Sequence, residues 1–408
     1  MGATYRPRRA RGVHTGCQWT ITSGAAAQTH TARMMTLPTR VIQAVRPQAS
    51  SGVIAGAAVV AATFSATPFL LPDVADRLSA DIGSTGLLST AQVGSFALAS
   101  FFAGRFFRPR RRLHYGSLLL VAGSTFGSAL APGFGVLLAT RILAGLGLGT
   151  ITWIAWADAT RFPRGLGDVA AVAPLTATIA SPLIGWLTET GGYPLVFTAL
   201  GVLAVVAVAL PVGFGDLPRV GRNVSGSRSN RVLLGALLVL SVGGSSVFIF
   251  TAAAAQAIHG LTPITVSWAL SLNAITGVVA TRRRARRGTA GFWLLATAAS
   301  ALVIGLFGSS PVFFLAMALW GFGFWMAVPA VLRMLTDRSN YPSERMGDAQ
   351  AAMATGRVFG PIVGGLALGA GQFARLSIVG SAVIVASVLV VVLVERYRLT
   401  LPETGSPA

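Results

Sequence analysis

The chain has 408 residues, of which 53% are hydrophobic and only 11% charged. Soluble globular chains carry roughly 25% charged residues, so this one has too few to clothe a water-facing surface, and lipid is the solvent that accepts it. The formal net charge is +20 and all 32 basic residues are arginine. A nucleic-acid-binding protein gathers such charge on one polar face, whereas here the arginines lie in short segments between apolar runs. Cys17 is the only cysteine, which excludes an internal disulfide and argues against a cysteine-based metal site.

Residues 1–50 are polar, arginine-rich and free of acids. They lack the apolar core of a secretory signal peptide. An organelle transit peptide shares this composition, but a disordered cytoplasmic tail, or a start at Met34 or Met35, is the expectation. From residue 52 the chain becomes a succession of apolar runs. About 20 helical residues cross the ~30 Å hydrocarbon core. Runs of that order occupy 52–72, 82–103, 113–132, 134–156, 169–188, 192–214, 232–255, 261–281, 289–308, 311–332, 349–371 and 376–394. The softest boundaries are at Pro132 and Pro311. Twelve membrane helices are therefore expected.

The arginines test the count. With a cytoplasmic amino terminus, the inner segments hold all but four of them, including Arg105, Arg108, Arg110, Arg111 and Arg112 after the second run and Arg282–Arg287 after the eighth. Arg77 and Arg375 fall in opposite loops, and Arg141 and Arg357 inside runs. This bias is the positive-inside rule, and it implies a multi-pass protein, of the plasma or inner membrane, with both termini cytoplasmic.

The polar segment 215–231 divides the runs six and six, so the expected domains are 51–214 and 232–397, with a cytoplasmic loop at 215–231 and a short tail at 398–408. An internal repeat agrees. SPLIGW from Ser181 resembles GPIVGG from Gly360, with Pro182 and Pro361 lying 179 residues apart. LAGLGLG from Leu143 resembles LWGFGFW from Leu319, 176 residues on. Glycine- and proline-interrupted helices at matching places of two halves point to a transporter repeat.

Local patterns then suggest a family. LLPDVADRL from Leu70 resembles the end of helix 1 of the major facilitator superfamily, the run from Ser84 to Phe106 resembles its helix 2, and RILAGLGLGT from Arg141 is similar to its helix 4 motif of an arginine followed by spaced glycines. Gly347, Gly356, Gly360, Pro361, Gly364 and Gly365 match the spacing G-x8-G-x3-G-P-x2-G-G of its antiporter motif. The resemblance covers roughly residues 52–397. It implies an all-α membrane fold of twelve helices in two pseudo-repeated six-helix bundles, working by alternating access. Two departures stand out. The motif lies on the eleventh run, whereas the fifth keeps only Pro182 and Gly185 outright, with Asp168, Ala177, Ser181 and Trp186 at the other places. The segment GRFFRPRRR, which includes Arg110, Arg111 and Arg112, has no acid ahead of its basic cluster.

Arg141 and Arg357 fall well inside their runs, where a charge costs at least ~2.5–3.5 kcal/mol. They are candidates for coupling or for binding an anionic group; the plainer alternative is bonding to helix carbonyls or snorkelling. At 100° per residue, Gly145, Thr152 and Trp156 lie within about 60° of Arg141, giving a face with a cation, a hydroxyl and an aromatic wall. Gly145, Gly147 and Gly149 also read as packing surfaces. Thr63, Thr67, Gln92, Asn273, Trp320 and Trp325 are further candidate contacts, with packing as the alternative for each. The acids and the four histidines sit near run ends or in the tail, so no midplane carboxylate relay is expected; Asp158 and Asp348 read as solvated end charges, with titration near an inner gate as the alternative.

No lysine and no Walker motif occur, which argues against ATP drive. No metal cluster or Ser/His pair lies at matching depth, so neither an enzyme nor a cofactor is expected. The reading is a monomeric secondary transporter of a small organic solute by efflux or antiport, with a proton or counter-solute as partner in the bilayer and no nucleic acid. The alternatives are uptake or exchange of a small organic anion, and a non-transporting sensor or degenerate carrier.

Overall fold

A computed structural model describes residues 49–159, 165–214, 228–281, 283, 288–337, 342–369 and 371–397. The expected tail, most of the central loop and the carboxy-terminal tail lie outside the described residues. Those described form twelve α-helices. They are α1 (Ser51–Arg77), α2 (Ile82–Phe106), α3 (Arg111–Ala129), α4 (Phe134–Ala159), α5 (Gly165–Val208) and α6 (Arg228–Phe248). The rest are α7 (Thr251–His259), α8 (Pro263–Thr281), α9 (Ala290–Leu306), α10 (Ser310–Thr336), α11 (Pro342–Leu368) and α12 (Phe373–Tyr397).

The helices differ from the expected runs at two places. α5 joins the fifth and sixth runs into 44 residues, but Gly192 breaks it with φ +70°, a conformation glycine adopts without a Cβ penalty. The second arm starts there because the Asp73 carboxylate accepts a hydrogen bond from the Tyr193 N–H at 2.6 Å while holding the Arg77 guanidinium at 2.9 Å. The end of α1 thus caps the middle of α5. The seventh run is also divided, at Ile249–Phe250, into α6 and α7. The junctions at Pro132 and Pro311 each separate two distinct helices. Nine membrane spans, one of which joins α6 to α7, are long and apolar enough to cross a bilayer among the described residues; α9 is apolar but shorter.

Large apolar side chains face outward all round the bundle. Leu130 is 82% exposed, Ile179 75% and Leu366 74%. Water would penalise such surface, and contiguous exposed apolar area marks a membrane contact. Many hydroxyls inside the helices turn back on their own backbone, as Thr63 does to the Val59 carbonyl at 2.8 Å and Ser117 to Leu113 at 2.8 Å. Each of these donors is then satisfied where no water can serve it.

Helix neighbours repeat with an offset of six expected runs. α2 packs on α4 and α3 on α4 and α5; correspondingly α8 packs on α10 and α9 on α10 and α12. The glycines explain the register. Gly145 abuts the Gln92 carbonyl of α2 and Gly321 abuts the Asn273 carbonyl of α8. A Cβ on Gly147 would lie 2.8 Å from the Ser117 carbonyl of α3, and one on Gly323 would lie 3.0 Å from the Trp293 carbonyl of α9. The next step swaps large for small. Gly149 meets the Phe96 carbonyl, whereas Trp325 lies over Gly277, 2.5 Å from where its Cβ would be.

A side chain at Gly145 has no room, so Gly145→Leu should destabilise the fold by about 1–3 kcal/mol through overpacking. Gly123→Leu, where nothing lies within 4 Å, should leave stability unchanged. Thermal unfolding of the two variants in detergent checks this difference.

Candidate substrate cleft between the two halves

Two seams join the halves of the chain, α2 with α11 and α5 with α8. They mirror each other. The Thr90 hydroxyl of α2 donates to the Val358 carbonyl of α11 at 3.1 Å, and the Ser271 hydroxyl of α8 donates to the Thr178 carbonyl of α5 at 3.2 Å. The α5–α8 seam is closed further by Gly185 against the Pro263 carbonyl, 2.8 Å from a would-be Cβ. The Glu189 carboxylate accepts the Ile264 N–H at 3.3 Å at the start of α8, where a helix dipole favours an anion.

The α2–α11 seam opens along its length. A Cβ on Gly83 would sit 2.8 Å from the Gly365 carbonyl, one on Gly86 3.0 Å from the Pro361 carbonyl, and one on Gly94 3.8 Å from the nearest neighbour, Val358 Cγ1. The halves therefore close at the end carrying Asp73, Asp81 and Glu189. They part toward the end where Arg108, Arg110, Arg111 and Arg112 are exposed.

Arg357 lies near the middle of α11. Gly356, Gly360 and Gly364 turn to α6, while Val358, Pro361 and Gly365 turn to α2. At 100° per residue Arg357 falls between these two packed faces, and yet it is exposed. A residue that lies between the face packed on its own half and the face packed across the seam, and is still open, faces the space between the halves. Gln350, two turns nearer the arginine-rich end and 20° away on the wheel, is exposed on the same side. Sequence reasoning passed over Gln350, although its seven-residue spacing from Arg357 was the signal.

Arg141 has a different setting. It is only 3% exposed. Its Nε and Nη2 donate to the Ser128 hydroxyl at 3.1 and 2.5 Å, Nη2 also to the Ser124 carbonyl at 3.4 Å, and Nη1 to Gln92 Oε1 at 3.4 Å. Its guanidinium stacks 4.2 Å from the Phe197 ring, a cation–π contact strengthened by desolvation. Arg141 thus sits among α2, α3, α4 and the second arm of α5, away from the cleft. The repeat partner of this pair is neutral: Asn273 Nδ2 donates to the Met317 carbonyl at 2.9 Å.

The other candidates are dispersed. Gly145 and Gly149 pack on α2. Among the described residues the buried Thr152 hydroxyl finds no hydrogen-bond partner, and Trp156 is 41% exposed. Asn273 and Trp325 belong to the α8–α10 seam, Trp320 packs on Phe248 at 5.9 Å, and Thr63, Thr67 and Gln92 are buried. Ser181 is buried beside Pro182, and Gly185 reaches α8. The surroundings of Gly347 and Asp168 lie outside the described residues. Asp158 is not a solvated end charge: it is fully buried in the last turn of α4. Asp348 pairs with Arg345 at 2.5 Å.

The sequence profile of the Major Facilitator Superfamily matches residues 53–365. A chloramphenicol resistance protein of Streptomyces lividans is 25% identical over 340 residues, 74% of this chain and 84% of that protein. Among solved structures, a bacterial homologue of the human lysosomal transporter Spinster, inward-facing and occupied, aligns with TM-score 0.64 at 15% identity over 86% of this chain and 98% of that one. A POT family transporter in complex with 5-aminolevulinic acid aligns with TM-score 0.67 at 11% identity, over 86% and 96%. The human organic anion transporter MFSD10 (TETRAN) aligns with TM-score 0.58 at 17% identity, over 83% and 98%. With the family profile running over most of its length on an all-α membrane fold, the chain belongs to the Major Facilitator Superfamily of multi-pass transporters.

Proposed function

We propose that this transporter exports a small organic solute by alternating access, with twelve crossings, the arginine-rich end in the cytoplasm and the 51–214 and 232–397 bundles rocking about the cleft as a monomer. The observation that carries the reading is the wedge between the halves: closed through glycine and hydroxyl contacts at one end, parted at the other, with Arg357 at mid-depth. Such a wedge is one of the two states that alternate access requires. Export rests on the relative that confers chloramphenicol resistance and on the glycine–proline motif along α11. Gly356, Gly360, Pro361, Gly364 and Gly365 give that helix smooth contact with both α6 and α2, so it can slide without unlocking side chains.

In this reading Arg357 and Gln350 touch the solute. Arg141 is a positioning residue that fixes α3 and α5 to α4 in both states. A counter-solute or a proton supplies the drive.

A second reading, exchange of a small organic anion, is favoured by one observation. Arg357 is a guanidinium open to the cleft, where low dielectric strengthens its attraction for a carboxylate or phosphate.

Proteoliposomes separate the readings. Radiolabelled chloramphenicol should cross in a protein-dependent way, and Arg357→Gln should change its rate less than threefold. If benzoate is the better solute and Arg357→Gln cuts its exchange tenfold or more, the anion reading holds. If neither moves, the chain is the non-transporting sensor or degenerate carrier. Cysteine access provides a separate check. In a Cys17→Ser background, Arg357→Cys should react with a hydrophilic methanethiosulfonate at least tenfold faster than Arg141→Cys. Equal rates would remove Arg357 from the cleft.

A further inference from the structure

A groove of about 570 Å³ runs along the outside of the first half of the chain, between α2, α3 and α4. It is separate from the cleft. Leu98 and Phe102 of α2, Leu120 of α3 and Leu146 of α4 form its walls. All four are exposed. Its few hydroxyls are already engaged: Ser117 donates to the Leu113 carbonyl at 2.8 Å and Thr150 to Leu146 at 2.9 Å. The groove therefore offers an occupant almost nothing but hydrocarbon contact along its length.

Two features distinguish it from an ordinary lipid-facing surface. The first is its floor. Among the described residues nothing lies within 4 Å of a would-be Cβ on Gly116, so its missing side chain serves no helix packing there, in contrast to Gly147, which must meet α3. Any side chain at residue 116 would project into the groove. The second is its end. Arg112 lines the groove where it meets the arginine-rich surface, with Arg108, Arg110 and Arg111 exposed beside it. No acid occurs between Gly104 and Arg112 to neutralise them.

The dimensions fit one leaflet. From Leu98 to Phe107 the wall rises about 14 Å at ~1.5 Å per residue, roughly half the ~30 Å hydrocarbon core. The occupant must then be apolar for one leaflet's depth and anionic at the membrane surface. We propose that this groove is a binding site for a single anionic phospholipid, with one acyl chain along Leu98, Phe102, Leu120 and Leu146 over Gly116 and the headgroup phosphate on Arg112. Basic pockets at the membrane surface between helices bind such headgroups by charge, and the attraction falls off within a Debye length. The inference is independent of the transported solute.

Native mass spectrometry of the full chain in detergent, titrated with dioleoyl phosphatidylglycerol or dioleoyl phosphatidylcholine, tests it. Phosphatidylglycerol should form a 1:1 adduct at a lipid concentration at least tenfold lower than phosphatidylcholine. Arg112→Gln should erase most of that preference, and Gly116→Leu should weaken both lipids. Gly123→Leu, on the same helix but outside the groove, should change neither, and matching thermal unfolding of all three variants guards against misfolding. Equal binding of the two lipids to the parent protein would overturn the proposal, as would a phosphatidylglycerol preference indifferent to both groove substitutions. Displacement of the lipid by chloramphenicol would overturn it as well, making the groove a solute path.

Discussion

Helices in lipid gain no hydrophobic energy by packing on one another, because the acyl chains they displace are as apolar as leucine. Cohesion must come from close contact and from polar groups that find partners inside the protein. This constraint accounts for the placement of the glycines. Gly145, Gly147, Gly321 and Gly323 each bring a helix backbone against the carbonyls of a neighbour, where van der Waals contact is densest. The same device serves the two seams between the halves, at Gly83 and Gly365 on one side and Gly185 on the other. A seam built from glycine and single hydroxyl bonds holds its partners close without interlocking side chains. It can therefore part at modest cost, as a rocking transporter requires.

Much of this architecture was legible in the sequence because lipid makes its demands in units of twenty residues. Every apolar run lies largely in helix, although the fifth and sixth are joined and the seventh is divided, and the repeat of LAGLGLG in LWGFGFW matches equivalent contacts made by Gly145 and Gly321. The packing role read for Gly145, Gly147 and Gly149 agrees with their contacts, but which neighbour a charged or polar side chain meets was not legible. In a soluble helix a polar face declares the outside, but a helix surrounded by lipid and by other apolar helices has no such face to read. Arg141 was thus assigned to a wall with Thr152 and Trp156 on wheel geometry alone, while its guanidinium reaches across to Ser124 and Ser128 of α3. Asp158 misled for a related reason. Its place near a run end suggested water, but the run continues to Ala159 and encloses it. The break at Ile249–Phe250 had no proline or glycine of its own to announce it.

The two halves share a frame and differ in where they put charge. In the first, Gln92 and Arg141 join α2 to α4 by a charged contact; in the second, Asn273 joins α8 to α10 through the Met317 carbonyl. A buried cation bonded to α2 and α3 and stacked on Phe197 in the second arm of α5 ties four segments of the first half together. Separating any of them would leave a charge without compensation, which costs several kcal/mol. These contacts favour the first half moving as one piece in the proposed cycle.

That rigidity bears on what can alternate. A transport cycle changes the access of some groups and leaves others as they were. Among the described residues the Arg141 guanidinium bonds and stacks within its own half, so the proposed rocking would leave those contacts in place. Arg357 lies between the face of α11 that stays with α6 and the face that meets α2 across the seam. In the proposed closure the α2 side would come toward it, and its solvation would change with the state of the protein. A group whose environment differs between two conformations is the kind through which a bound solute can bias them. Of the two interior arginines, which look equivalent in the sequence, Arg357 is exposed and Arg141 is enclosed within its own half, so in the proposed cycle it is the surroundings of Arg357 that would change.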